Sequence, residues 1–129
     1  MSLRSAFLLS CALLLAGCGH SLSSLPGFDA EAWQRDVRGC AGVRQRLLPA
    51  LDSSREQLYR ARVSAVTDLL GRPDQEELQE QSQRVYYYYV SPGPQCAYGQ
   101  EAPGSRRLMV RFGSLGTVTE VLYSAPAVR

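Results

Sequence analysis

At Gly71-Arg72-Pro73 this chain changes its hydrophobic period, and that switch constrains the fold more than any other feature. The glycine supplies the left-handed stop of a helix, and the proline prevents continuation. Before the break, apolar residues recur at spacings of three, four and seven; after it they tend to alternate. Helices followed by an antiparallel meander make an α+β two-layer domain, expected here as N-terminal helices packed on one face of a three-stranded sheet.

On the helical side, Asp29 reads as an N-cap, with Glu31 favourably placed in the first turn. Trp33, Val37, Cys40, Leu47 and Leu51 then mark one amphipathic face, weakened at Gly39 and Gly42, with Pro49 expected to kink or end it near Leu48. Asp52-Ser53-Ser54 is a second capping cluster, and 64–70 a short helix with Val66, Leu69 and Leu70 facing inward. Asp74 to Gln83 is acidic and polar and reads as a surface connection or an exposed helical turn.

On the other side, residues 84–90 are rich in β-formers, and Ser91-Pro92-Gly93-Pro94-Gln95-Cys96 stops them abruptly. A second strand over 107–112 places Leu108, Val110 and Phe112 on one face. Gly113-Ser114-Leu115-Gly116 turns into a third over 117–123. There alternation fails, because Val118 and Leu122 share a face with Glu120, so a bulge or an edge position is expected.

The N-terminus reads as an address. Arg4 precedes an apolar run from Ala6 to Ala16 that closes in Leu15-Ala16-Gly17-Cys18. These are the three regions of a secretory signal, and the cysteine after the cut makes a lipobox. The run is too short to span a bilayer, which takes about 20 apolar residues. Residues 1–17 are therefore expected to be a signal peptide. Cys18 would carry diacylglycerol and an N-acyl chain, 18–28 would be a flexible tether, and 29–129 a single domain. A plain cleaved signal with Cys18 unmodified is the other arrangement. Gly19-His20-Ser21 lacks the aspartate that in many Gram-negative bacteria retains a lipoprotein at the inner membrane, and resemblance to such lipoproteins implies the periplasmic face of the outer membrane as the expected location.

Cys11 leaves with the signal and Cys18 takes the lipid, so Cys40 and Cys96 remain. An exported chain with two spare thiols is expected to pair them, across 55 enclosed residues. The chain-entropy model gives such a loop roughly 4 kcal/mol. Two free buried thiols are the alternative, and no CxxC spacing points to redox or metal chemistry.

All 14 basic residues are arginines, set against 12 acids for a formal charge of +2. Interspersed signs give no footprint for nucleic acid. His20 is the only histidine, so no Ser–His or Cys–His pair and no zinc ligand set can be drawn. Glu76, Glu77 and Glu80 read as a solvated face rather than a calcium or acid–base cluster. No enzyme, metal or cofactor is expected.

Tyr86, Tyr87, Tyr88 and Tyr89 are the candidate partner-binding residues. On a strand two face the core and two the opposite side, where tyrosine suits an interface. The alternative is that both faces are covered, or that the outer pair packs beneath the Pro-rich loop.

Leu69-Leu70-Gly71-Arg72-Pro73-Asp74, the Tyr-rich strand, Leu108-Met109-Val110-Arg111-Phe112 and Gly116-Thr117-Val118 together resemble small outer-membrane lipoproteins of the SmpA/OmlA (BamE-like) type. The resemblance covers roughly Leu58 to Tyr123, and the same fold occurs in β-lactamase-inhibitor-like modules. Two departures are an added N-terminal helix with Trp33 and Gly39-Cys40, and a Pro-Gly-Pro-Gln-Cys loop. The resemblance implies a non-catalytic envelope lipoprotein that binds or scaffolds a protein partner, in envelope or outer-membrane protein assembly. The alternative is an inhibitor or small-ligand-binding lipoprotein using the Tyr-rich sheet face and the Pro-rich loop.

Overall fold

The computed structural model describes Leu22 and residues 24–98 and 104–124; residues 1–17, expected as a signal peptide, and Cys18 and His20 lie outside the described residues. Helices α1 (Ala30–Arg35), α2 (Val43–Ser53) and α3 (Val63–Leu70) come first. Strands β1 (Gln75–Leu78), β2 (Arg84–Tyr89), β3 (Arg107–Phe112) and β4 (Val118–Ser124) follow, with a single-turn helix α4 (Gln95–Tyr98) between β2 and β3. The α+β two-layer class stands, but the described sheet has four antiparallel strands in chain order, not three.

The additional strand is β1, expected as a connection or a helical turn. It pairs Gln75 with Tyr87 and Leu78 with Arg84 along one side of β2. As an edge strand it needs one hydrogen-bonded neighbour and no apolar face, so its polar sequence hid it.

The helical half also departs from expectation. No continuous helix runs from Asp29 to Leu48. Asp29 does cap α1, accepting from the Ala32 amide at 3.0 Å, but α1 stops at Arg35. A 3-10 turn over Val37–Gly39 follows, with Arg38 at φ 56°. Val37, placed on the apolar face by spacing, is 67% exposed. Gly39 explains the break: its φ is +69°, and a Cβ there would lie 2.9 Å from the Tyr89 carbonyl oxygen. The chain must pass against the end of β2, and only glycine fits. Pro49 does not end α2, which runs on to Ser53.

The β half follows the sequence closely. Leu108, Val110 and Phe112 are buried together against the helices. In β4 the register shifts so that Arg111 faces Glu120 and Phe112 faces Val118, leaving Thr119 as the extra residue of a bulge. That insertion lets Val118 and Val121 both reach the core while Leu122 turns outward. The start of β4 is covered by the chain before α3: Arg60 N–H donates to the Val118 carbonyl, and Val118 N–H to that of Ala61.

The described part of the tether is not free chain. Leu22, Leu25 and Phe28 are buried in the main core, and the Phe28 ring lies 5.5 Å from that of Trp33. Around them the core gathers Trp33, Leu48, Leu51, Leu58, Val66, Leu70, Tyr86, Tyr88 and Val121. Replacing Gly39 by alanine should destabilise the fold by at least about 2 kcal/mol, from the positive φ and the contact with Tyr89. Urea unfolding of Gly39→Ala beside the parent measures it.

Candidate functional site

The tyrosine strand occupies the centre of the molecule. Tyr86 and Tyr88 point toward the helices: the Tyr86 ring meets Phe112 edge-on at 5.0 Å, and Tyr88 lies 6.5 Å from Trp33. The Tyr88 hydroxyl donates to the Gly71 carbonyl at 2.9 Å, tying the strand to the helix stop. Tyr87 and Tyr89 belong to the opposite face, where Val85, Tyr87 and Met109 form a second, smaller apolar cluster.

That outer pair is not open to a partner. Tyr86 and Tyr87 retain 6% and 8% of their surface, and Tyr88 and Tyr89 none. Long polar side chains roof the face. The Arg107 guanidinium lies 4.1 Å from the Tyr87 ring centroid and donates to Gln75 Oε1 at 2.9 Å. Tyr87 itself donates to Glu77 at 3.2 Å, and Arg111 reaches both Glu120 and Gln79. Of the two arrangements the sequence leaves open, the covered one holds: cross-strand neighbours supply the cover that a second helical layer would otherwise give.

Cys40 and Cys96 form a disulfide, with their Cα atoms 5.8 Å apart. It joins the loop after α1 to α4 beyond the end of β2. Beside it Arg38 and Gln95 exchange hydrogen bonds, each donating to the other's carbonyl at 3.1 Å. The fully buried Gln95 also donates to the Ser91 carbonyl at 2.7 Å.

Arg44 is the residue that pattern reading missed. Its Nη1 lies 2.7 Å from Asp74 Oδ2 and 2.9 Å from the Tyr89 carbonyl oxygen, its Nε donates to the Trp33 carbonyl at 3.1 Å, and its guanidinium stacks on the Trp33 ring. Asp74 in turn accepts from the Tyr89 amide at 2.8 Å. Buried Asp36 completes the network by accepting from the Ala41 and Arg44 amides, capping α2 from outside it. One signal was available: Arg44, Leu48 and Leu51 share a helix face, and a charge on an apolar face implies a buried partner.

Open surface lies elsewhere. The register brings the β1–β2 connection and the β3–β4 turn to one end of the sheet. Leu78 and Leu115 project there, 73% and 92% exposed. Each borders an open groove of about 560–570 Å³, one running along Leu78 to Gln83 and the other between Val63 and Leu115. Among the described residues no cluster of His, Cys, Asp or Glu could hold a metal ion. Comparison with family models, characterised proteins and solved structures returns no match.

Two predictions follow from these contacts. Arg44→Met leaves the Asp74 carboxylate without its cation and strips two buried carbonyls of their donor. It should cost roughly 3–5 kcal/mol in urea unfolding. Arg44→Lys should recover only part, since an ammonium cannot reproduce the planar fork.

The second concerns alkali. Burial pushes the Tyr88 hydroxyl far above the ordinary 10.0, and burial with the Asp52 hydrogen bond pushes Tyr123 up to about 12. Tyr87 is raised as well, by burial first and by Glu77 second. A raised value means that the folded chain holds these protons more tightly than the unfolded one. Their stabilisation is complete below pH 10 and is lost as pH rises through about 12 for Tyr123. Tyrosinate absorbance should therefore rise together with loss of the β circular-dichroism signal. A sheet that stays intact while Tyr88 ionises would contradict this.

Proposed function

We propose that this chain is a lipid-anchored protein of the bacterial envelope that binds or scaffolds another protein and performs no chemistry of its own. The observation that carries the reading is the pairing of Cys40 with Cys96 in a chain whose other late cysteine, Cys18, closes a lipobox. A disulfide across the domain suits an oxidising compartment, and Leu15-Ala16-Gly17-Cys18 supplies the route there. The resemblance to SmpA/OmlA-type lipoproteins supports an outer-membrane location and a part in envelope assembly.

Burial of Tyr86–Tyr89 moves the proposed contact surface to the turn end of the sheet. Leu78, which ends β1, and Leu115, on the β3–β4 turn, are large exposed apolar side chains beside grooves that a partner segment can enter. The inhibitor or small-ligand alternative drew on an exposed Tyr-rich face, and it loses that support.

The test is affinity capture of the full-length tagged protein from gently solubilised envelopes, beside a Leu78→Glu/Leu115→Glu variant. A stoichiometric protein partner should be recovered with the parent and fall by about tenfold or more with the variant, as expected for hot-spot residues. Recovery of no partner, under conditions that keep other envelope complexes whole, would defeat the reading.

A further inference from the structure

The segment expected to be a tether behaves instead as a strap. Leu22, Leu25 and Phe28 retain 8%, 3% and 8% of their surface. The Phe28 amide donates to the Leu25 carbonyl at 3.1 Å, closing a turn whose Gly27 backs onto Ala50 of α2. The strap therefore lies against the helical layer, with Ser24, Pro26, Gly27 and Asp29 as its exposed described residues.

Cys18 and Leu22 are four Cα–Cα steps apart, a reach of at most about 14 Å however the intervening residues run. A folded chain of about 100 residues has a radius of gyration of about 13 Å, so it is wider than this connection is long. Turning the strap away from the bilayer would require the link to pass around the domain, and it is too short. We propose that acylation at Cys18 seats the strap face of the domain on the phospholipid headgroup surface. The outer sheet face, with Met109 and Leu122, then points away. This orientation rests on the lipidation reading above, and it identifies a lipid surface as the partner of the strap face. No charged patch is needed to hold it, because two or more acyl chains already make attachment stable.

The experiment uses the mature, acylated protein in phosphatidylcholine vesicles doped with a gadolinium-chelating lipid headgroup, read by amide NMR. Amide signals of Ser24, Leu25 and residues 27–30 should be lost, and those of Met109 and Leu122 retained. Inserting ten Gly/Ser residues between His20 and Ser21 adds up to about 35 Å of reach without touching a described residue, and it should restore the lost signals. Equal loss on both faces, or no loss, overturns the proposal. Loss that survives the insertion also overturns it, since the short link would then not be the cause. Intact mass of the purified protein separates the two readings: an unacylated chain fails the lipidation reading and the orientation with it. An acylated chain with uniform loss fails the orientation alone.

Discussion

The Arg44 guanidinium joins four stretches of chain at one point: α2 that carries it, α1, the end of β2 and the connection into β1. It is fixed from below by the Trp33 ring and carbonyl, from the sheet by the Tyr89 carbonyl, and from the connection into β1 by Asp74. Each partner would be costly to bury alone, since an isolated charge or carbonyl in an apolar core loses its water without compensation. Together they satisfy one another. The pair is weak evidence of net stability, because its desolvation offsets most of the attraction. What it fixes is geometry: one side chain ties the end of β2 to α1, to α2 and to the connection into β1.

The same end of the sheet receives the disulfide, the Gly39 close approach and the Arg38–Gln95 exchange. Constraint is therefore concentrated where β2 leaves the sheet. Tyr123, level with Leu108 and Tyr88 in the register, adds to that end: its hydroxyl bonds to Asp52 at the end of α2, with Arg55 over its ring. At the opposite end the chain before α3 bonds to Val118, the β1–β2 connection and the β3–β4 turn lie beyond it, and Leu78 and Leu115 are exposed. The covalent and buried polar links thus gather at one end of the sheet, and the exposed apolar side chains of the proposed contact surface lie at the other.

What could be read from sequence follows the difference between local and non-local signals. Leu108, Val110 and Phe112 alternate, and Val66, Leu69 and Leu70 recur at helical spacing, so β3 and α3 were legible. The broken alternation at Glu120 was legible as a bulge or an edge, and β4 is both. β1 was not, because an edge strand made of Gln75, Glu76 and Glu77 carries no periodic apolar signal. The Arg44–Asp74 pair spans 30 residues, and no spacing rule connects them. The strap was hidden by composition: Ser24, Pro26 and Gly27 read as linker, although Leu22, Leu25 and Phe28 recur every third residue. Whether the outer tyrosines are covered is left open by the sequence for a related reason. Alternation shows which rings share a face but not what covers it, and Arg107 reaches across from β3 to do so.

These corrections bear on one another. Had the tyrosines been exposed and the tether loose, the domain could have swung freely and recruited a partner through its sheet face. With Tyr87 roofed by Arg107 and the strap packed through Phe28 on Trp33, neither freedom is present in the described chain. A lipid on Cys18 would then set orientation as well as location, because so few bonds separate it from the core. A partner would meet a domain already held at the bilayer, its contact residues carried on turns beside the strand ends. Binding under those conditions loses less orientational freedom than binding by a swinging module, so a small apolar contact such as Leu78 and Leu115 can suffice.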